Sequence, residues 1–126
     1  MSKYNSKKIT VDGMTFDSQK EYRRWCELKL LERAGKISNL KRQIPFELIP
    51  AQYETVERYG RRGKRLADGT RCVEKAITYV ADFVYTQDGK KVVEDVKGYK
   101  AGNAYCLYGI KRKLMLYVHG IKILET

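Results

Sequence analysis

The chain has 126 residues, 43% of them hydrophobic, and sets 26 Lys and Arg against 15 Asp and Glu for a formal net charge of +11. That length suits one domain spanning 1–126, and the apolar share excludes global disorder. The positive surplus points to a polyanionic partner, nucleic acid before a membrane surface, because no long basic helix with a clean apolar face is present.

Residues 1–8 read as a basic tail. Ile9-Thr10-Val11 and Met14-Thr15-Phe16 flank Asp12-Gly13, the pattern of a small hairpin. A helix should follow: Ser18-Gln19-Lys20-Glu21 has the form of a capping box, and Gly35 stands where a left-handed glycine ends a helix. Tyr22, Trp25, Leu28 and Leu31 lie between them at helical spacing. From Gln43 to Tyr53 the chain becomes strand-like, and Pro45 and Pro50 suit an edge or bulged strand, since proline cannot donate to a ladder.

Residues 54–76 lose periodicity and hold Arg58, Arg61, Arg62, Lys64, Arg65, Arg71 and Lys75 with three glycines. They read as a basic flexible loop or an extended hairpin, either plainly solvated or contacting nucleic acid. Ile77–Tyr85 and Lys91–Val96 are strands joined through Gln87-Asp88-Gly89-Lys90, a tight-turn signal. A second helix is expected from about Asn103 to Val118, weakened at Gly109 and stopped at Gly120. Ile121–Leu124 reads as a closing strand. The expected order is helix, strand, strand, strand, helix, strand, an α/β or α+β fold with a mixed sheet.

Cys26, Cys72 and Cys106 are an odd count without metal-like spacing, which argues against a disulfide framework and fits a reducing compartment. The first residues lack the apolar segment of a secretory leader, and no apolar run approaches the ~20 residues of a membrane span. The expectation is therefore an intracellular, cytoplasmic protein with no membrane partner.

A two-residue turn at Asp88-Gly89 would set Asp82 opposite Asp95, with Cβ atoms about 4.5–5.5 Å apart. Lys97 would share the face of Asp95, beside Val80, Val84 and Val93. Facing carboxylates destabilise a sheet unless something neutralises them, and Mg²⁺ does so readily because it prefers carboxylate oxygens and retains water. Such an ion polarises a phosphate and activates water, and Lys97 can orient that water or neutralise developing charge. The plain alternative is a surface hairpin with one Asp–Lys pair and a solvated second Asp. Glu21 carries two readings as well. As the fourth residue of the capping box it would satisfy the Ser18 N–H. At i, i+4, i+7 with Trp25 and Leu28, it would equally face the sheet and need a partner such as a metal.

Ala81-Asp82 followed by Asp95-Val96-Lys97 resembles the PD-(D/E)XK nuclease signature, with alanine in place of proline. Phe16-Asp17-Ser18 leading to Glu21, Gly35-Lys36-Ile37, Gln43 before Phe46, Tyr79-Val80-Ala81-Asp82-Phe83 and Asp95-Val96-Lys97-Gly98 together resemble a family of short phage and prophage proteins. That family is related to Holliday-junction resolvases and transposon-end endonucleases. The similarity covers nearly the whole chain outside 54–76. It implies a restriction-endonuclease-like core in the order α-β-β-β-α-β, with Asp82, Asp95 and Glu21 binding Mg²⁺ (or Mn²⁺), Lys97 acting in catalysis and Gln43 nearby. It further implies a phage-type endonuclease acting on DNA, branched DNA included, as a homodimer. Arg61, Arg62, Lys64, Arg65, Lys111, Arg112 and Lys113 are candidate DNA contacts, although the last three also suit a solvated helix face. The alternative is a nucleic-acid-binding phage accessory protein without catalysis. His119, the sole histidine, suits a helix end, and Tyr105 and Tyr108 suit packing.

Overall fold

The structure is a computed structural model that describes residues 8–98 and 100–126. The expected tail lies outside the described residues except for Lys8.

The chain opens with β1 (Ile9–Val11) and β2 (Met14–Phe16), a hairpin turned at Asp12 and Gly13, both at positive φ. Helix α1 (Gln19–Arg33) starts at Ser18, whose hydroxyl accepts from the Glu21 N–H at 3.2 Å, and stops before Gly35 at φ +78°. β3 (Ser38–Ile49) follows, longer at its start than the sequence suggests and ending before Pro50. β4 (Gln52–Tyr59) and β5 (Arg65–Glu74) form the extended hairpin, turned through a 3₁₀ segment at Arg61–Gly63. β6 (Ile77–Gln87) and β7 (Lys90–Asp95) form the second hairpin; α2 (Gly102–His119) and β8 (Leu124–Glu125) complete the fold. The closing strand thus lies later than the 121–124 expected, because Ile121 and Ile123 are drawn into the core against α2.

The main sheet has the order β3-β6-β7-β8, antiparallel except for the parallel β7–β8 pair. β3 is indeed an edge strand, with irregularities at Ser38/Lys41 and Glu47/Ile49. The β6–β7 turn holds two residues, and its ladder runs from Gln87↔Lys90 to Phe83↔Glu94.

The helices cover opposite faces of this sheet. Phe83 and Tyr85 pack with Leu28 of α1, while the intervening Val84 packs with Met115 of α2, and neighbouring residues of a strand point to opposite sides. One departure from alternation organises the whole molecule. On β3, Leu40 faces the α1 side, yet Ile44, Phe46 and Leu48 face the α2 side without a change of parity. On β6, Phe83 and Tyr85 face α1 whereas Tyr79 and Ala81 face α2. Both strands therefore slip by one residue at the level of Gln43 and Asp82, which are absent from the ladder between Arg42↔Phe83 and Ile44↔Ala81. Gln43 has φ +55°, the left-handed conformation that reverses a strand's pleat. The slip also turns Val80 out of the surface expected to hold Val84 and Val93; it is 47% exposed while they are buried.

A buried ion pair joins α1 to the sheet. Arg24 donates to both oxygens of Glu94, at 2.7 and 2.9 Å, and the Glu94 side chain is fully buried. Tyr85 Oη and Thr126 Oγ1 also donate to it, at 2.9 and 3.2 Å. Removing one member of such a pair strands a buried charge. Arg24→Met is expected to lower unfolding stability by about 3 kcal/mol, read from urea denaturation. Gln43→Val should cost about 1–2 kcal/mol more than Gln43→Asn, because a β-branched side chain is strained at positive φ and asparagine tolerates it.

Candidate active site

The slip level is where polar side chains gather. Glu21, in the first turn of α1, is 3% exposed. Its carboxylate accepts from the Asp17 N–H at 3.0 Å and from Gln43 Nε2 at 3.1 Å, with Arg42 at 3.9 Å. The N–H it caps is thus that of Asp17, where a capping box would have used Ser18. Cap and site neighbour are one residue here, since Gln43 joins Glu21 to the slipped edge of the sheet.

Asp82 stands at the open end of the β6–β7 ladder. In place of a main-chain pair across from Asp95, its Oδ2 accepts from the Val96 N–H at 2.8 Å. Burial, the charge of Asp95 and the charge of Glu21 push its carboxyl up to about 7, against the pull of the Val96 N–H and Lys97. Burial likewise raises Glu21 above the usual carboxylate range. Asp95 is buried and held on both oxygens, by Lys97 Nζ at 2.9 Å and Tyr79 Oη at 2.5 Å. Burial and that bond to Asp95 hold the Tyr79 phenol firmly protonated. Lys97 Nζ also lies 3.3 Å from the centre of the Tyr108 ring, and Lys20 Nζ reaches the Lys97 carbonyl at 2.5 Å.

Asp82, Asp95, Lys97, Glu21 and Gln43, singled out from the sequence, are therefore drawn to one level of the fold. Their carboxylates do not form a closed cage: among the described residues, no group of three His, Cys, Asp or Glu side chains stands ready to hold a metal ion. A cavity of about 310 Å³ opens beside Asp95 and Lys97, walled by Tyr79, Leu107, Tyr108 and Lys111.

The basic run on α2 is divided. Lys111 lines that cavity, Arg112 pairs with Glu125 at 3.3 Å, and Lys113 is exposed near Leu116 and Lys122. Arg61, Arg62, Lys64 and Arg65 sit at the turn end of the β4–β5 hairpin, far along the chain from the carboxylates, and Arg65 pairs with Asp68. Tyr105 and Tyr108 donate to Glu125 and pack on each other. His119 ends α2 and its Nε2 meets the Glu47 carbonyl at 2.7 Å. Cys26, Cys72 and Cys106 are free. No helix among the described residues is long and apolar enough to cross a membrane.

Sequence reasoning missed Arg42, Tyr79 and the Arg24–Glu94 pair. Arg42 stacks over the Phe16 ring at 4.2 Å and donates to the Thr15 carbonyl, fixing the β1–β2 hairpin beside Glu21. The available signal for Arg24 was its position one turn after Glu21, on the helix face turned to the sheet.

A family model described as "Protein of unknown function (DUF1064)" matches residues 1–120. The chain belongs to this family. Comparison of this DUF1064 member with curated proteins and with solved structures finds no match.

The raised Asp82 carboxyl sets a pH dependence. A carboxyl whose folded value lies above its unfolded 3.8 adds stability below pH 3.8, and that contribution is lost as the pH rises through about 7. Asp82→Asn removes the penalty of ionisation, so its melting temperature should exceed that of the wild type at pH 8. The gap should narrow at pH 5, as measured by thermal unfolding at both values.

Proposed function

We propose that this protein is a metal-dependent DNA endonuclease of the PD-(D/E)XK type. One observation carries the reading: Asp82 in the middle of β6 and Asp95 at the end of β7 lie just past the last pair of the ladder between these adjacent strands, Lys97 Nζ is 2.9 Å from Asp95, and the Asp82 carboxyl is opposed by the charges of Asp95 and Glu21. The order α1, three antiparallel strands β3, β6 and β7, then α2 and a parallel β8 supports it, being the arrangement that the nuclease core would require.

The residues present fit a hard divalent cation. Mg²⁺ needs one or two carboxylates and keeps its remaining waters, so the lack of a three-ligand cage is no obstacle. Asp82 and Asp95 would hold it, and Glu21, engaged by Asp17, Gln43 and Arg42, would stand behind them. When bound, the ion would supply phosphate polarisation and a water of lowered pKa. Lys97 is the cationic group nearest Asp95, suited to neutralising charge that develops on phosphate. Its contact with the Tyr108 ring and the Lys20–Lys97 carbonyl bond fix where that ammonium points. Tyr79 orients Asp95 from the opposite side. Branched DNA is the proposed substrate and a homodimer the proposed working form, both by analogy with junction-resolving relatives of the resembled family.

A second reading, a DNA-binding protein without catalysis, is favoured by the engagement of both Asp95 oxygens by Lys97 and Tyr79.

Labelled four-way junction, duplex and single-stranded DNA incubated with Mg²⁺, Mn²⁺ or EDTA separate the two. The expected result is metal-dependent cutting, reduced about 10²–10³-fold or more by Lys97→Ala and by Asp95→Ala. Mg²⁺ should also raise the wild-type melting temperature more at pH 8 than at pH 5.5, since Asp82 must ionise to bind it. Tight binding that is indifferent to metal, with no substrate cut, would overturn the nuclease.

A further inference from the structure

The β4–β5 hairpin stands apart from the rest of the molecule. Its strands pair with each other as a separate two-stranded sheet and have no substantial contact with any other element. Nearly every residue along it is exposed, including Tyr53, Tyr59 and Val73. A ribbon open to water on both faces is only marginally stable by itself, which suits an element that acts when covered.

Its charge says by what. From Arg58 to Arg65 the chain holds Arg58, Arg61, Arg62, Lys64 and Arg65 with no acid among them. Arg65 pairs with Asp68, and nearer the base Arg71 pairs with Glu54. Among the described residues, Arg58, Arg61, Arg62 and Lys64 have no ion-pair partner, which leaves the turn end strongly positive. The backbone there is shaped for it: Arg62 and Gly63 adopt φ +60° and +73°, reversing the chain within a single short turn. Arg58 lies across Gly69, where a Cβ would come within 2.6 Å of its Cδ, so a larger residue at 69 would push this exposed side chain to another rotamer.

We propose that this ribbon enters the major groove of double-stranded DNA. A two-stranded ribbon fits the ~12 Å groove, and its exposure on both faces lets each meet a wall of phosphates. Single strands are instead held in concave, aromatic-lined channels, whereas this element is convex and has one aromatic residue, Tyr59, near its turn. The ribbon continues outward from β3 and β6, the strands that carry Gln43 and Asp82. Along the extended chain its turn can lie no more than ~65 Å from Gln43, within two ~34 Å turns of DNA. The inference deepens the nuclease reading, because it makes duplex flanking the cleavage point part of the substrate; the groove contact itself needs no catalysis.

The test is binding by the full chain in EDTA, which stops metal-dependent cutting. Wild type is compared with the triple variant Arg61→Gln, Arg62→Asn, Lys64→Gln, asparagine being chosen for the positive φ at 62. Wild type should bind duplex more tightly than single strands and protect guanine N7, which lies in the major groove, from methylation. The triple variant should bind duplex at least about tenfold more weakly at 0.15 M salt, lose that protection, and show a salt slope shallower by about 3. A charge-keeping pair, Arg61→Lys with Lys64→Arg, should retain the slope, which distinguishes lost charge from a disordered hairpin. Unchanged duplex affinity in the triple variant, absent N7 protection, or equal binding of polyglutamate would each overturn the proposal. Parallel cleavage assays in Mg²⁺ keep the two readings apart. Binding with N7 protection but no cutting retains the ribbon and removes the nuclease. Cutting that the triple variant leaves unaffected does the reverse.

Discussion

The slip in pleat at Gln43 and Asp82 is the constraint around which the molecule is arranged. An unbroken sheet would present each strand's odd and even residues to fixed sides, so one helix would have to cover the full length of a face. Here the same parity serves α1 at one end of the sheet and α2 at the other. The aromatic stack of Trp25 on Phe83 and the cluster around Met115 are thus two cores meeting at a seam. Ladder bonds lapse there, and the groups left over are polar: Gln43 turns to Glu21, and Asp82 turns to the Val96 N–H.

That seam also explains how so much negative charge survives near the interior. Burying an unpaired carboxylate is expensive, and four acids lie close to the sheet. Glu94 is neutralised by a two-pronged arginine, and Asp95 by a lysine, with a phenol donating to its other oxygen. Glu21 draws on a main-chain N–H, an amide and a more distant guanidinium. Asp82 has a single N–H. It is the acid with the least local compensation, and the one whose ionisation is most strongly opposed by its neighbours. Local electrostatics therefore single out one position on β6 as unfinished.

Much of this could be read from residue order. The two-residue turn at Asp88-Gly89 set the β6–β7 register correctly from Gln87 to Phe83, and the Ser18…Glu21 spacing located the start of α1. The slip could not be read, because Gln43 is neither glycine nor asparagine and nothing in its type advertises a positive φ. That hidden irregularity sent Val80 outward and brought Tyr79, an ordinary strand tyrosine by pattern, onto Asp95. The 54–76 stretch was legible as basic but not as a defined strand pair, because periodicity reports burial on one face and this ribbon buries neither. Glu94 was concealed by its neighbours: in Val92-Val93-Glu94-Asp95 only the arginine on another element shows which acid is anchored.

The pairing of β7 with β8 has a consequence for how the protein is made. Thr126 donates its N–H to the Asp95 carbonyl, accepts from the Lys97 N–H, and gives its hydroxyl to Glu94. During synthesis the β6–β7 hairpin can close as soon as it leaves the ribosome, since its partners are adjacent in sequence. The outer edge of β7, which carries Asp95 and leads into Lys97, must wait for all of α2 and then for residues 124–126. Asp95 and Lys97 therefore gain their outer partner only after α2 has been made, and a nascent chain halted within α2 would hold both aspartates without the strand that steadies them.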